Sequence, residues 1–122
     1  MSSSVTELPL SSTLYRPITD NEIKIYQRDG IVCLRAFFKE EWVKHLREMT
    51  ERVIANPSPM HKPVDTIKTN GGSSFFFDTF LSHYMKGFRA AAFSSPAAEI
   101  AGTLMGSSKV NLLFDQLLVK EP

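Results

Sequence analysis

Few side chains in this 122-residue sequence could hold a metal ion, and their spacing is unfavourable. The three histidines are His45, His61 and His83. Iron and zinc sites need histidine, carboxylate or cysteine ligands at spacings that let several side chains converge. None of these histidines falls in a His-x-Asp, His-Glu-x-x-His or Cys-x-x-Cys pattern. The sequence therefore predicts no metal ligand and no catalytic residue among its own positions.

Each histidine has a structural interpretation instead. His45 follows Glu41 by one helical turn, which favours a pair of side chains on a helix surface. His61 lies in a proline-rich segment, four residues before Asp65. We expect no helix there, so this spacing does not bring the two side chains together. His83 lies among aromatic residues at helical spacing, so we expect it to be partly buried.

No nucleophile or phosphate-binding loop is indicated. Cys33 lies in the apolar segment 31–34, where we expect a buried, inert thiol. As the only cysteine it excludes an internal disulfide, which fits a reducing compartment such as the cytoplasm, with the peroxisome also open. The run 71–74 (Gly-Gly-Ser-Ser) is not followed by Gly-Lys-Ser/Thr, so a hinge is the better interpretation.

Two aromatic and polar features leave alternatives open. The run Phe75-Phe76-Phe77 could place two rings in the core and one over a neighbour, or one ring in an apolar pocket. Asp115 and Gln116 interrupt an apolar C-terminal segment. A buried aspartate must be paired or bind something, so Asp115 makes a structural hydrogen bond, lies at an exposed edge, or lines a pocket.

The overall composition excludes several classes of protein. The net charge is +1, from 14 basic and 13 acidic residues, which gives no reason to expect nucleic acid or an anionic membrane as a partner. Hydrophobic residues make up 43%, enough for a core. No apolar run approaches the roughly 20 residues of a membrane span. The start, Met1–Ser4, has no basic cluster followed by an apolar run, so it is not a secretory signal.

The first half of the chain predicts helix, turn, strand and helix. Thr19 and Glu22 form a capping-box pattern before a helix at about 20–28. Asp29-Gly30 predicts a turn, and 31–34 a short strand. A long amphipathic helix follows, ended by Asn-Pro-Ser-Pro at 56–59. Its apolar stripe consists of Trp42, Leu46, Met49 and Val53.

The second half predicts a long loop, two helices and a strand. Three prolines and two adjacent glycines indicate a loop over 57–74. Aromatic residues at helical spacing predict a helix from about 78 to 92. Pro96 opens another helix, which Gly106 ends. A terminal strand is expected to begin near Lys109.

Two stretches of this chain resemble the phytanoyl-CoA dioxygenase family of non-haem iron enzymes. The first runs over 18–35 and 37–47, with its helix, Asp-Gly turn, strand and amphipathic helix. The second combines Ser-Pro-Ala-Ala-Glu-Ile-Ala at 95–101 and the following Leu-Met-Gly-Ser with Phe-Asp-Gln-Leu-Leu-Val-Lys-Glu-Pro at 114–122. The resemblance spans about 18–122, whereas residues 1–17, rich in Ser, Thr and Pro, are expected to form a flexible lead-in.

The resemblance implies an α+β fold in which helices pack on one side of a double-stranded β-helix (jelly roll), incomplete in this chain. It implies Fe(II), 2-oxoglutarate and dioxygen as reactants, and hydroxylation of an unactivated C–H bond of a small organic or lipid-like substrate. Two histidines and a carboxylate hold the iron in this family. Their His-x-Asp motif follows the Lys-Glu-Pro-like stretch and is absent here, so this chain alone is expected to be inactive and to bind neither cofactor.

The resemblance also implies which side chains meet the cofactor in the whole enzyme. Residues alternate along a strand, so Asp115, Leu117 and Val119 share one side. Matching the Glu-Pro end of the strand assigns them to the side that binds the cosubstrate, with Lys120 toward the helices or solvent. Phe76 is expected near the same pocket.

The rival interpretation is a non-catalytic shortened form, or a helical module that binds a partner. Both interpretations leave the terminal strand, from about Lys109, without its later neighbours. We therefore expect the isolated chain to self-associate through this strand.

Overall fold

The computed structural model describes residues 10–122, apart from the side chain of Val64, and the rest of the predicted lead-in, 1–9, lies outside them. The fold mixes helices with one antiparallel sheet, as expected for an α+β protein. A 3₁₀ turn at Pro63–Asp65 precedes the first strand. The helices and strands are α1 Asp20–Asp29, α2 Glu40–Ala55, β1 Thr66–Lys68, β2 Ser74–Thr79, α3 Leu81–Tyr84, α4 Lys86–Phe93, α5 Ala97–Met105 and β3 Gln116–Glu121.

The predicted ends of α1 are confirmed. The Thr19 side chain accepts from the Glu22 amide, and the Glu22 carboxylate accepts from the Thr19 amide. Gly30 has φ 74°, and its amide donates to Tyr26 O. This left-handed conformation favours glycine because a Cβ would crowd the following carbonyl.

Helix α2 buries most of its predicted apolar stripe. Trp42, Met49 and Val53 are buried and Leu46 is half-buried, whereas His45, which was not expected in the stripe, is also buried. Trp42 is fully buried, and its indole donates to Ser11 O at 2.6 Å. The segment before α1 is tied to the domain in two further places, since the Tyr15 amide donates to Phe37 O and Arg16 pairs with Glu22.

The three strands lie in the order β1-β2-β3, and both pairs are antiparallel. In the register of β2 and β3, Phe76 lies opposite Val119 and Phe77 opposite Leu118. One side of this sheet packs against the helices. The buried cluster there contains Val53, Phe76 and Leu81, with Met85, Phe88, Leu117 and Val119 packed around it.

The predicted strand at 31–34 is wrong. The structure gives this segment no regular secondary structure, and both Ile31 and Cys33 are exposed. Strand propensity reflects packing against a neighbouring strand, and this segment has none in the described part of the chain. The expectation of a buried, inert Cys33 is wrong for the same reason.

The predicted loop at 57–74 is wrong, and the predicted helix at 78–92 is confirmed only in part, because it starts later and is broken into two. The loop contains β1, and the aromatic run before the predicted helix belongs to β2. Strand β2 pairs along both edges as far as Thr79, so backbone hydrogen bonds to its neighbours delay the start of the helix to Leu81. Phe80 follows with φ 56°, and two short helices, α3 and α4, replace the long one.

The last helix is confirmed, and the last strand is shorter than predicted. Helix α5 follows Pro96 and ends at Gly106, which has φ 67°. Strand β3 begins at Gln116 rather than near Lys109, and residues 110–115 are irregular. The strand begins where β2 offers a partner, because Thr79 at the end of β2 lies opposite Gln116.

Candidate functional site

The sheet presents two sides of different character. The helix-facing side carries Phe76, Asp78, Leu117 and Val119. The outer side carries Ile67, Phe75, Phe77, Gln116, Leu118 and Lys120. On the outer side Leu118 is 57% exposed and Ile67 is 53% exposed, whereas Phe76 on the other side is buried. Period-two alternation along the strands produces this contrast.

Three of the four predicted cofactor-binding residues lie together on the helix-facing side. Phe76 and Val119 are opposite each other in the register, and Leu117 packs against the same buried cluster. Their contacts are with helix residues such as Val53 and Leu81. Contact of these three with a cosubstrate stays a prediction, and the side chains they touch here are those of the core.

The fourth residue, Asp115, makes a structural hydrogen bond. Ser82 donates to its carboxylate from the hydroxyl, at 2.6 Å, and from the amide, at 3.1 and 3.3 Å. The Phe80 amide donates to Asp115 O at 2.9 Å. These bonds join the start of β3 to the first turn of α3. Of the three interpretations left open above, the hydrogen-bonded one describes the contacts that Asp115 makes.

A second aspartate, which the sequence did not single out, is more deeply buried. Asp78 is 1% exposed, and its carboxylate accepts from the Ser58 hydroxyl at 2.6 Å, the Ser58 amide at 2.8 Å and the Thr79 amide at 2.9 Å. A buried carboxylate needs such donors to offset its desolvation. The sequence signal for this burial was the position of Asp78 between Phe77 and Thr79, in a strand whose apolar residues alternate.

Both ring nitrogens of His61 lie within hydrogen-bond distance of residues in the sheet. Its Nδ1 lies 3.0 Å from Phe77 O, and its Nε2 lies 3.1 Å from the Thr66 hydroxyl. A carbonyl can only accept, so Nδ1 donates to it and Nε2 can accept from Thr66. The ring also stacks on Phe76, with centroids 4.8 Å apart. Neither ring nitrogen is left for a metal ion.

The interpretation of His45 as a surface residue paired with Glu41 is wrong. His45 is 1% exposed, and its Nε2 lies 2.9 Å from Gly87 O. Its Nδ1 is buried without a hydrogen-bond partner. Glu41 instead accepts from the Ser11 amide. Helix α4 crosses α2 at Gly87, and the missing side chain lets its backbone approach the imidazole.

The expected burial of His83 is also wrong, because it is exposed on α3 and meets Phe80 edge-on, with centroids 5.8 Å apart. Within residues 10–122, no three histidine, cysteine or acidic side chains gather as a metal site would require. The donor groups described above are engaged in structural hydrogen bonds, enclosed in the core, or isolated on the surface. They do not fit an iron site by themselves.

An apolar groove of about 510 Å³ runs between α4, α5 and the segment 110–113. Its walls include Phe88, Phe93 and Ala101, and Leu113 beside it is 88% exposed. A smaller groove of about 360 Å³ lies between α1 and α5. In the described part of the chain, no helix combines the length and the hydropathy needed to cross a bilayer.

Comparison with protein-family models, with curated proteins and with solved structures finds no match to this chain.

Proposed function

We propose that this chain is the N-terminal, helix-backed part of a non-haem Fe(II)/2-oxoglutarate-dependent dioxygenase of the phytanoyl-CoA dioxygenase type. Its substrate is a small organic or lipid-like molecule with an unactivated C–H bond. In this proposal a double-stranded β-helix is completed on β2 and β3, and the metal ligands are a His-x-Asp motif and later residues downstream of Pro122. When bound, iron and 2-oxoglutarate would supply the chemistry that activates dioxygen, the oxidant, for hydroxylation.

The observation that carries the proposal is the unequal cover of the sheet. Helices pack on one side, around Val53 and Leu81, while the other side is open and carries Phe77 and Leu118. A jelly roll with helices outside needs this arrangement, because its pocket lies on the side of the sheet away from the helices. The order α1, Gly30 turn, α2, α5 and β3 also follows the order that the resemblance implies, apart from the strand expected at 31–34, which is absent.

The contacts favour a particular distribution of roles within this proposal. Phe76, Leu117 and Val119 would back the pocket wall from behind, because they touch the helix layer. The outer side chains Gln116, Leu118 and Lys120 would be the ones that face the pocket, since alternation turns them away from the helices.

A different function is favoured by one other observation. The groove along α4 and α5, beside the exposed Leu112 and Leu113, is an apolar surface of the kind used to bind a partner segment. A non-catalytic interaction module would use this surface and would need no metal. The sheet, with its open outer side, plays no part in that alternative.

Anaerobic titration with Fe(II) and 2-oxoglutarate tests the enzyme proposal. We expect no visible metal-to-ligand charge-transfer band from the 122-residue chain, and a band at one equivalent from a polypeptide extended through the downstream coding sequence. A band from the 122-residue chain itself would contradict the proposal. So would a downstream coding sequence that contains no His-x-Asp motif.

The assignment of the pocket side is tested by two adjacent tryptophan substitutions in the extended protein. Leu118→Trp should raise the KM for 2-oxoglutarate or substrate while the fold survives, because its side chain faces outward. Leu117→Trp should instead lower the free energy of unfolding by about 1–3 kcal/mol, because a larger side chain overpacks the helix-facing cluster. The opposite pattern would restore Asp115, Leu117, Val119 and Phe76 as pocket residues.

A further inference from the structure

The two edges of the sheet differ in how well they are protected. Strand β1 has three residues and is preceded by a 3₁₀ turn that contains Pro63. Strand β3 has six residues, contains no proline, and pairs with β2 along one edge only within residues 10–122. A longer, apolar edge with free N–H and C=O groups is a template for another strand. The β3 edge is therefore the one open to an added strand.

The sequence of β3 is complementary to itself when two copies run antiparallel. Centring the pair on Leu118 places each Gln116 opposite Lys120 of the second copy, and each Leu117 opposite its Val119. Over 116–120 apolar residues then face apolar residues on both sides of the sheet. At each end of the pair Asp115 lies opposite Glu121, and there Ser82 donates hydrogen bonds to the Asp115 carboxylate. Moving the centre to Leu117 or Val119 puts apolar residues opposite polar or charged ones.

The outer side of the sheet gives this register a second advantage. Phe77 lies opposite Leu118 in the register of β2 and β3. In a pair centred on Leu118, one row would run Phe77, Leu118, Leu118 and Phe77 across the two copies. Cross-strand apolar pairs of this kind stabilise antiparallel sheets. The row would cover a side chain that is 57% exposed in the single chain.

We infer that the 122-residue chain forms a two-fold homodimer in which β3 pairs antiparallel with β3 of a second copy, centred on Leu118, to make one six-stranded sheet. The occupant of this edge is a second copy, because the register matches the strand to itself. The inference does not rest on the proposed function, since it needs neither metal nor substrate.

Single-cysteine cross-linking tests the register, in a Cys33→Ser background so that each variant has one thiol. A disulfide joins Cα atoms no more than about 7 Å apart. Leu118→Cys lies on the two-fold axis and should cross-link to itself under mild oxidation. Gln116→Cys and Lys120→Cys should each fail alone, because their own copies lie about 13 Å apart along the strands. A mixture of Gln116→Cys and Lys120→Cys should cross-link.

Sedimentation equilibrium tests the dimer itself. The wild-type chain should show a monomer–dimer equilibrium, and Leu118→Lys should raise the dissociation constant by at least about tenfold, because two ammonium groups would meet at the axis. Ile67→Lys is the matched control. It changes a side chain of similar exposure on the same side of the sheet but at the β1 edge, and it should leave the constant within about twofold.

Three results would overturn the inference: a wild-type monomer at every concentration, polydisperse aggregates in place of a dimer, or self-cross-linking of Gln116→Cys with none at Leu118→Cys. None of these bears on the Fe(II) titration of the extended polypeptide, so failure here and failure of the proposed function are distinguishable.

Discussion

The two sides of one strand, β2, show how differently neighbouring residues of the same type are used. Phe76 is buried against Val53 and Leu81, and it also stacks on His61. Phe75 and Phe77, its neighbours along the chain, lie on the outer side, with their rings 6.1 Å apart. The buried side of the strand stabilises the fold, whereas the open side leaves apolar surface that a further partner can cover. The contrast predicts where substitutions will destabilise the fold and where they will alter association.

The largest loss of stability is expected at the buried indole near the start of α2. Trp42 is fully buried and donates to Ser11 O, so Trp42→Ala should lower the free energy of unfolding by about 3–5 kcal/mol. Urea denaturation followed by circular dichroism measures this change. A loss below about 1 kcal/mol would mean that this helix does not depend on the indole for its packing.

A smaller loss is expected where α4 crosses α2. A Cβ at Gly87 would collide with Met49 Sδ and would approach His45 Cε1 to 3.2 Å, so Gly87→Ala should destabilise the fold by about 1–3 kcal/mol. Met49→Ala in the same chain should recover part of this loss by making room. Gly71→Ala is the control, because its nearest atom would be Thr69 Oγ1 at 3.9 Å. Equal destabilisation at both glycines would contradict the close crossing.

The comparison of the two sides is sharpest at adjacent leucines of β3. Leu117→Ala removes a side chain that packs against the core cluster and should cost about 2 kcal/mol. Leu118→Ala changes an outward side chain and should stay within about 0.5 kcal/mol. Unfolding is measured at a protein concentration low enough to keep the chain monomeric. Reversed magnitudes would show that β3 presents its other side to the helices.

The smallest effect concerns pH and the surface of α1. The hydrogen bonds from Arg16, and then from Thr19, lower the pKa of Glu22 from 4.5 to about 2. Because the folded state holds this carboxylate deprotonated more strongly than the unfolded state, its stabilisation is present above pH 4.5 and is lost as the pH falls through about 2.

Arg16→Met tests this dependence, because it removes the cation that pairs with Glu22. Its unfolding midpoint should be below that of the wild type near neutral pH, and the difference should shrink as the pH falls below 4.5. A difference that stays constant down to the lowest accessible pH would point to lost packing of Arg16 over the Phe37 ring instead.

Local sequence signals predicted the helix ends, but among the strands they predicted β3 alone, and with too early a start. Thr19, Glu22, Gly30 and Gly106 lie at helix ends where they were expected, because a cap needs only residues a few positions away. The strand expected at 31–34 is wrong, and the helix expected at 78–92 begins only at Leu81, because β2 extends to Thr79. Where a strand forms depends on whether a partner strand is present, and no residue within the segment reports that.

The candidate site shows the same division. Alternation along the sequence placed Leu117 and Val119 together on one side, yet the direction of that side depended on where the helices pack. The spacing of His45 from Glu41 is typical of a pair on the surface of a helix. The crossing of α4 at Gly87 instead buries His45. The hydrogen bonds that allow Asp78 to be buried come in part from Ser58, 20 residues away along the chain.

What the sequence by itself determined about this protein is therefore local: helix caps, the apolar stripe of α2, the helix after Pro96 and the mixed α+β composition. Only the tertiary structure decided the pairing of β2 with β1 and β3, the side of the sheet that the helices cover, and the burial of His45 and Asp78. The physical reason is the separation along the chain of the residues that make each contact. Caps and helical stripes depend on contacts within one or two turns, whereas strand pairing and burial depend on residues far apart along the chain.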